Sequence, residues 1–284
     1  MSVQVTIWGC RGSLATPGPE TVRYGGNTSC LEVDLANGSV LVLDAGTGIR
    51  ELGEKLEQQN VRHIQLLLTH LHLDHVEGLR FFGPLWDEQV EIRIWGPASP
   101  ILSLRERIAR AFSPPLFPIE ITEVPAHVSF NDVPRDDWKL DGATVRAAKI
   151  VHPGPTVGYR IETADGTLAY LPDHEPALAG SITNRSRDWI SGASLAADAD
   201  VLVHDAQFSE EEYSHRVGWG HSSCADAIAY GTAVDAARVV LFHHDPSHND
   251  SWLDESEQRA RSLAAANGIV PPTLAREGMA ISLS

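Results

Sequence analysis

The 284-residue chain is 43% hydrophobic and 21% charged, enough apolar matter for a large core, and its 17 prolines and 23 glycines are scattered rather than gathered into a linker. Its formal charge of −16 repels polyanions at long range and argues against a broad nucleic-acid footprint, although bound metal ions would dominate the field around a small phosphate. Cys10, Cys30 and Cys224 form neither a Cys-x-x-Cys pair nor an even framework, and no signal or membrane-spanning run is visible, so a reduced, cytoplasmic chain with no membrane partner is expected.

Strands are predicted at Val3–Trp8, Cys30–Leu35 and Val40–Leu43, the last two joined as a hairpin through Asn37-Gly38. A helix follows at Gly48–Gln59, then a strand at Ile64–Leu68, a helix at His75–Phe82 and a strand at Glu91–Trp95. Pro100–Phe112 reads as a helix, and its Ser103–Arg110 portion holds three arginines. Ser113–Asp137 is proline-rich without helical period, a surface excursion or an irregular wrap. Strands at Val145–Ile150, Val157–Glu162, Thr167–Leu171, Val201–Val203 and Val239–Phe242 interleave with helices at Ser186–Ala196, Ser222–Ala233 and Ser251–Ala266. Early strands followed by interleaved helices point to a mixed α/β layered domain, with residues 1–284 as one unit.

Chemistry concentrates after the apolar run Leu66-Leu67-Leu68, in Thr69-His70-Leu71-His72-Leu73-Asp74-His75. A buried strand ending in a turn would present imidazoles and a carboxylate at its carboxyl end. Nitrogen and oxygen donors without thiolate suit Zn²⁺, with Mn²⁺ and Fe²⁺ also accommodated. Two ions need further ligands, and His152, Asp173 and His243 each stand where an apolar strand empties into a loop. His70, His72 and His152 would hold one divalent ion; Asp74, His75 and His243 would hold the second; Asp173 would bridge them. His244 competes with His243, because adjacent residues leave open which one points inward. Asp44 is read as hydrogen-bonding a ligand imidazole. Arg11 and Arg160 are candidates for phosphate contact or equally for surface charges, and Asn27, Thr28 and Ser29 for substrate contact or a glycine turn.

This pattern resembles the metallo-β-lactamase-fold hydrolases over nearly the whole chain. It looks closest to their phosphodiesterase branch, which includes ribonuclease Z and cyclic nucleotide phosphodiesterases. Gly9-Cys10-Arg11-Gly12-Ser13, Gly25-Gly26-Asn27-Thr28-Ser29-Cys30, Leu43-Asp44-Ala45-Gly46-Thr47-Gly48, Val157-Gly158-Tyr159-Arg160-Ile161, Tyr170-Leu171-Pro172-Asp173 and Gly220-His221-Ser222-Ser223 carry the likeness. The resemblance implies a four-layer αβ/βα sandwich, two divalent metal ions, phosphodiester hydrolysis and a homodimer.

Phosphodiester cleavage by a hydroxide bridging two cations leaves an alkoxide that needs a proton. His221 is the expected general acid, with Asp205 after Val201-Leu202-Val203-His204 orienting and charging it; Asp74 joins them in the catalytic set. The expected substrate is a small phosphodiester, a 3′,5′-cyclic nucleotide in the first instance. A nucleic-acid partner is not expected, since the chain is acidic and only 20 residues separate His152 from Asp173, too few for a basic arm that grips tRNA. tRNA 3′ processing is the second reading, and a lactonase or other ester hydrolase on the same centre is the third.

Overall fold

A computed structural model describes residues 2–35, 37–180, 182–183 and 186–283. Its strands are β1 (Gln4–Gly9), β2 (Cys30–Asp34), β3 (Val40–Leu43), β4 (His63–Leu67), β5 (Glu91–Gly96), β6 (His127–Asp132), β7 (Trp138–Leu140), β8 (Ala143–Lys149), β9 (Val157–Glu162), β10 (Thr167–Leu171), β11 (Val201–Asp205), β12 (Val239–Phe242), β13 (Thr273–Leu274) and β14 (Ala280–Ser282). They form two seven-stranded sheets, ordered β14-β1-β2-β3-β4-β5-β6 and β13-β12-β11-β10-β9-β8-β7. Both are mixed: β3 to β6 and β10 to β13 pair in parallel, and the remaining neighbours are antiparallel. Helices are α1 (Ile49–Gln58), α2 (Leu104–Ala109), α3 (Ala193–Ala196), α4 (Glu210–Ser214), α5 (Cys224–Ala233) and α6 (Asp250–Asn267).

Burial sets the layers. Val5, Ile7, Leu31, Val33 and Leu43 of one sheet meet Tyr159, Ile161, Tyr170, Val203 and Phe242 of the other in a central core. On the outer face of the first sheet, Leu66, Ile92 and Ile94 receive Leu52 and Leu56 of α1 and Ile108 of α2. The outer face of the second receives α3, α5 and α6 through Leu195, Tyr230 and Leu253. Two sheets back to back with helices outside make the expected αβ/βα sandwich. Parallel strands buried on both faces explain why β12 and the first three residues of β11 read as continuous apolar runs.

Two expected elements differ. His75–Phe82 is a pair of 3₁₀ turns, Leu73–His75 and Glu77–Phe81, rather than an α-helix. Backbone competition is the reason: the His75 carbonyl accepts from Ala45 N at 2.8 Å and Gly78 N donates to the Ala45 carbonyl at 3.0 Å, which spends groups an α-helix would use internally. Ser113–Asp137 contains β6, which pairs in parallel with β5 from Glu91↔His127 to Gly96↔Asp132. As an edge strand it buries no residue fully: only Val128 and Phe130 alternate as half-buried apolar side chains, a pattern too short to announce a strand. Pro100–Phe112 and Ser186–Ala196 narrow to the short α2 and α3.

Candidate metal centre and active site

The expected residues converge where strands of both sheets end, the position at which α/β sheets hold ligands. Asp44 follows β3, His70 through His75 follow β4, His152 follows β8, Asp173 follows β10, Asp205 ends β11 and His243 follows β12. Ligand atoms of His70, His72, His152 and Asp173 lie within 4.8 Å of one another, and so do those of Asp74, His75, Asp173 and His243. Asp173 belongs to both groups. Its Oδ1 lies 3.0 Å from His75 Nε2 and 3.3 Å from His243 Nε2, whereas its Oδ2 lies 3.7 Å from both His70 Nε2 and His152 Nε2. One carboxylate is thus divided between two nitrogen clusters.

The surroundings aim the rings. His75 Nδ1 is 2.9 Å from Asp44 Oδ2, His152 Nδ1 is 2.8 Å from the Gly220 carbonyl and His70 Nδ1 is 3.0 Å from Thr69 Oγ1. Each outer contact leaves Nε2 facing the shared space, the arrangement that orients imidazole ligands. Asp44 also accepts from Thr69 N at 2.7 Å and Tyr170 Oη at 3.0 Å, so it braces the turn and one ring together. Gly12 is required beside His243: a Cβ there would stand 2.3 Å from His243 Nδ1.

The donor set fits divalent cations on three counts. His70 Nε2, His75 Nε2 and Asp173 Oδ1 are buried without a hydrogen-bond partner, an expensive state unless something else meets them. Burial pushes His70 below its ordinary value and His152 down to about 4, which favours the neutral ligating form. Burial opposes charge on His75 as well, yet Asp173, Asp74 and Asp44 outweigh it and raise its pKa; three buried carboxylates there call for positive charge.

His221 stands beside this space. Its Nδ1 is 2.6 Å from Asp205 Oδ2, and its ring stacks on His243 at 4.9 Å between centroids. Aspartate therefore reaches the histidine fully. Asp205 Oδ1 also accepts from Gln207 N and Ser222 N, each at 3.0 Å. Burial lowers the basicity of His221, but Asp205 prevails and raises it to about 9.

His243 points inward, 3.2 Å from Asp74 Oδ2, while His244 turns away to the Ala275 carbonyl at 2.9 Å. His243 has φ 65, the left-handed twist that sends neighbouring side chains to opposite sides of the strand end. Arg11 is no phosphate ligand: it is buried and donates to the carbonyls of Gly25, Asp245 and His248. Arg160 likewise bonds the carbonyls of Leu195 and Ala197. Thr28 and Asn27 hold Thr47 and the glycine turn. Burial raises the thiols of Cys10 and Cys30, which removes the nucleophilic thiolate. Not foreseen was a cleft of about 390 Å³ lined by Leu71, Leu73 and Phe112 and by Arg80, Arg107 and Arg110, of which Arg80 and Arg107 donate to backbone carbonyls. The alternation of leucine with histidine in the turn and the arginines of Ser103–Arg110 were its signals. Among the described residues no helix is long and apolar enough to cross a membrane.

Residues 40–244 match the family described as "Beta-lactamase superfamily domain". A ribonuclease Z of Mycobacterium sp. (strain KMS) is 27% identical over 293 residues, covering 93% of this chain and 90% of that protein. Human tRNase Z, short form, superposes with a TM-score of 0.66 at 20% identity, covering 99% of each chain. Zn²⁺-bound PqqB from Methylobacterium extorquens superposes at 0.69 with 22% identity, covering 99% of this chain and 100% of that one. The relatives' name fits poorly with the expectation, drawn from net charge, that nucleic acid is not a partner.

Proposed function

The chain belongs to the beta-lactamase superfamily, a metal-dependent hydrolase by that membership, and from this premise we propose that it hydrolyses small phosphodiesters, 3′,5′-cyclic nucleotides in the first instance. The observation that carries the reading is the Asp173 carboxylate divided between two histidine clusters, with the His221–Asp205 pair beside it. His70, His72 and His152 would hold one cation, Asp74, His75 and His243 the other, with Asp173 between them. Two divalent cations bound there, Zn²⁺ first and Mn²⁺ or Fe²⁺ next for this donor set, would acidify the attacking water and neutralise charge developing on the phosphoryl oxygens.

The chain's own residues supply the rest. When the ester P–O bond breaks, the departing oxygen takes a proton. His221 is built to give one: Asp205 holds its Nδ1 and stabilises the imidazolium, so Nε2–H remains for the leaving group. The cleft beside the turn supports a small substrate, since its leucine and phenylalanine walls suit a nucleobase and the exposed Arg110 on its lining an anion. Pairing of β1 with β14, from opposite ends of the chain, supports one domain over residues 1–284. Three unpaired cysteines support a reducing, cytoplasmic setting, and we read the enzyme as a homodimer.

tRNA 3′ processing is the second reading, favoured by the ribonuclease Z relatives. A hydrolysis panel on metal-reconstituted protein separates the readings: cyclic AMP, cyclic GMP, bis(p-nitrophenyl) phosphate, a precursor tRNA, a lactone and a β-lactam. Cyclic nucleotide turnover is expected. Cleavage of precursor tRNA with cyclic nucleotides untouched transfers the assignment to RNA, and lactone cleavage with all diesters untouched refutes both.

A further inference from the structure

Glu175 lies two positions past Asp173, is only 1% exposed, and has no role in the chemistry above. Its N–H donates to the Val151 carbonyl at 2.9 Å, which ties it to the chain leaving β8. Its carboxylate reaches across to the loop before His221. Oε1 accepts from Gly218 N at 2.7 Å and from Tyr213 Oη at 3.0 Å; Oε2 accepts from Gly220 N at 2.7 Å. Gly218 and Gly220 adopt φ 89 and φ 93, conformations that glycine takes readily and other residues avoid. Gly220 directly precedes His221, and its carbonyl meets His152 Nδ1 at 2.8 Å.

A buried carboxylate is tolerated when several donors satisfy it. All three donors to the carboxylate, one hydroxyl and two backbone amides, come from residues 213–220, so it is satisfied only while this loop keeps its course. His174 adds a second tie: its N–H donates to Asp205 Oδ2 at 3.2 Å and its carbonyl accepts from Ser222 Oγ at 2.6 Å. The run Asp173-His174-Glu175 thereby connects the divided carboxylate, the partner of His221 and the backbone on which His221 stands.

We propose that Glu175 is a positioning residue that holds the Gly218–Gly220 turn so that His221 Nε2 faces the departing oxygen. This rests on the reading of His221 as proton donor. A brace without that purpose would slow every substrate alike, whereas a brace for the proton donor matters only where the leaving group needs a proton. The test is Glu175→Gln in metal-loaded protein, assayed on cyclic AMP, whose leaving group is an alkoxide, and on bis(p-nitrophenyl) phosphate, whose leaving group needs none. Turnover of cyclic AMP should fall about 10- to 100-fold and that of the nitrophenyl diester by no more than about 3-fold, the span expected when a general acid is misplaced rather than removed. At saturating metal the stoichiometry should hold, which keeps the Gly220 carbonyl's contact with His152 Nδ1 out of the comparison, and the Gly218 and Gly220 amides should exchange hydrogen faster than in the wild type. Tyr213→Phe removes one donor only and should show the same split more weakly, which covers the case in which Glu175→Gln folds poorly. Equal losses on both diesters, or no loss on either, overturn the proposal. If the wild type cleaves neither diester, the functional reading fails on its own account and amide exchange decides the brace: unchanged exchange in Glu175→Gln refutes it, faster exchange upholds it.

Discussion

In the proposed reaction His221 and Asp205 take the step that cations do not, and their distinction from the neighbouring histidines is electrostatic. His70 and His152 are kept neutral by burial; His221, half-buried, is kept basic at about 9 because Asp205 Oδ2 sits 2.6 Å away. His221→Ala should lower turnover of cyclic AMP by roughly 10²- to 10⁴-fold, the range for loss of a general acid, while metal analysis finds the ions unchanged. Loss of metal with activity would make His221 a ligand instead. The pH profile tests the partner. A proton donor works below its own pKa and fails above it, so Asp205→Asn, which removes the charge that raises His221, should move the alkaline limb of turnover to lower pH. An unmoved limb separates Asp205 from the proton. The clustering of these side chains was legible because His-x-His-x-Asp-His is dense chemistry in a short run. The inward choice of His243 over His244 was not, since it depends on φ 65 at His243. Arg11 was misread because a sequence does not tell a guanidinium that bonds three carbonyls from one that meets phosphate.

Strand ends deliver the site, and the turn after β3 is the element that aims it. Asp44 receives Thr69 N, Tyr170 Oη and His75 Nδ1, so one carboxylate joins β3, the turn after β4, and β10. Asp44→Asn, close in shape, should weaken metal affinity about 10- to 100-fold, as measured by competition with a chromophoric chelator, because outer partners of ligand imidazoles have that leverage. Unchanged affinity would reduce Asp44 to a turn former. Buried parallel strands and the long α6, capped by Asn249 and stopped at Gly268 with φ 66, announced themselves through apolar runs and end signals. The turns at Leu73–His75 and Glu77–Phe81 did not, because Ala45, remote in sequence, claims their backbone groups. Edge strand β6 was hidden by its exposure.

Across the whole molecule, two sheets are joined at one rim by a cluster of buried carboxylates and imidazoles drawn from six strand ends. Cations bound there would cross-link the sheets, and anything that binds only the folded state stabilises it. Stripping the metal should therefore lower the thermal midpoint. At metal concentrations about 1,000 times the dissociation constant the linkage contributes roughly 4 kcal/mol, or about 10 °C for a chain of this size. A midpoint unaffected by chelation and by metal return would mean that the cluster holds no ion. The net charge of −16 acts at long range, where it repels polyanions; within the cleft Arg110 is exposed, whereas Arg80 and Arg107 are turned to the carbonyls of Glu77, Leu116, Ser103 and Pro97. Phosphorus NMR of cyclic AMP incubated with the metal-loaded protein tests the central claim most directly. Conversion of the diester resonance to a monoester, abolished by chelation and restored by metal, is the predicted result; a diester resonance that persists while precursor tRNA or a lactone is cleaved under the same conditions would contradict it.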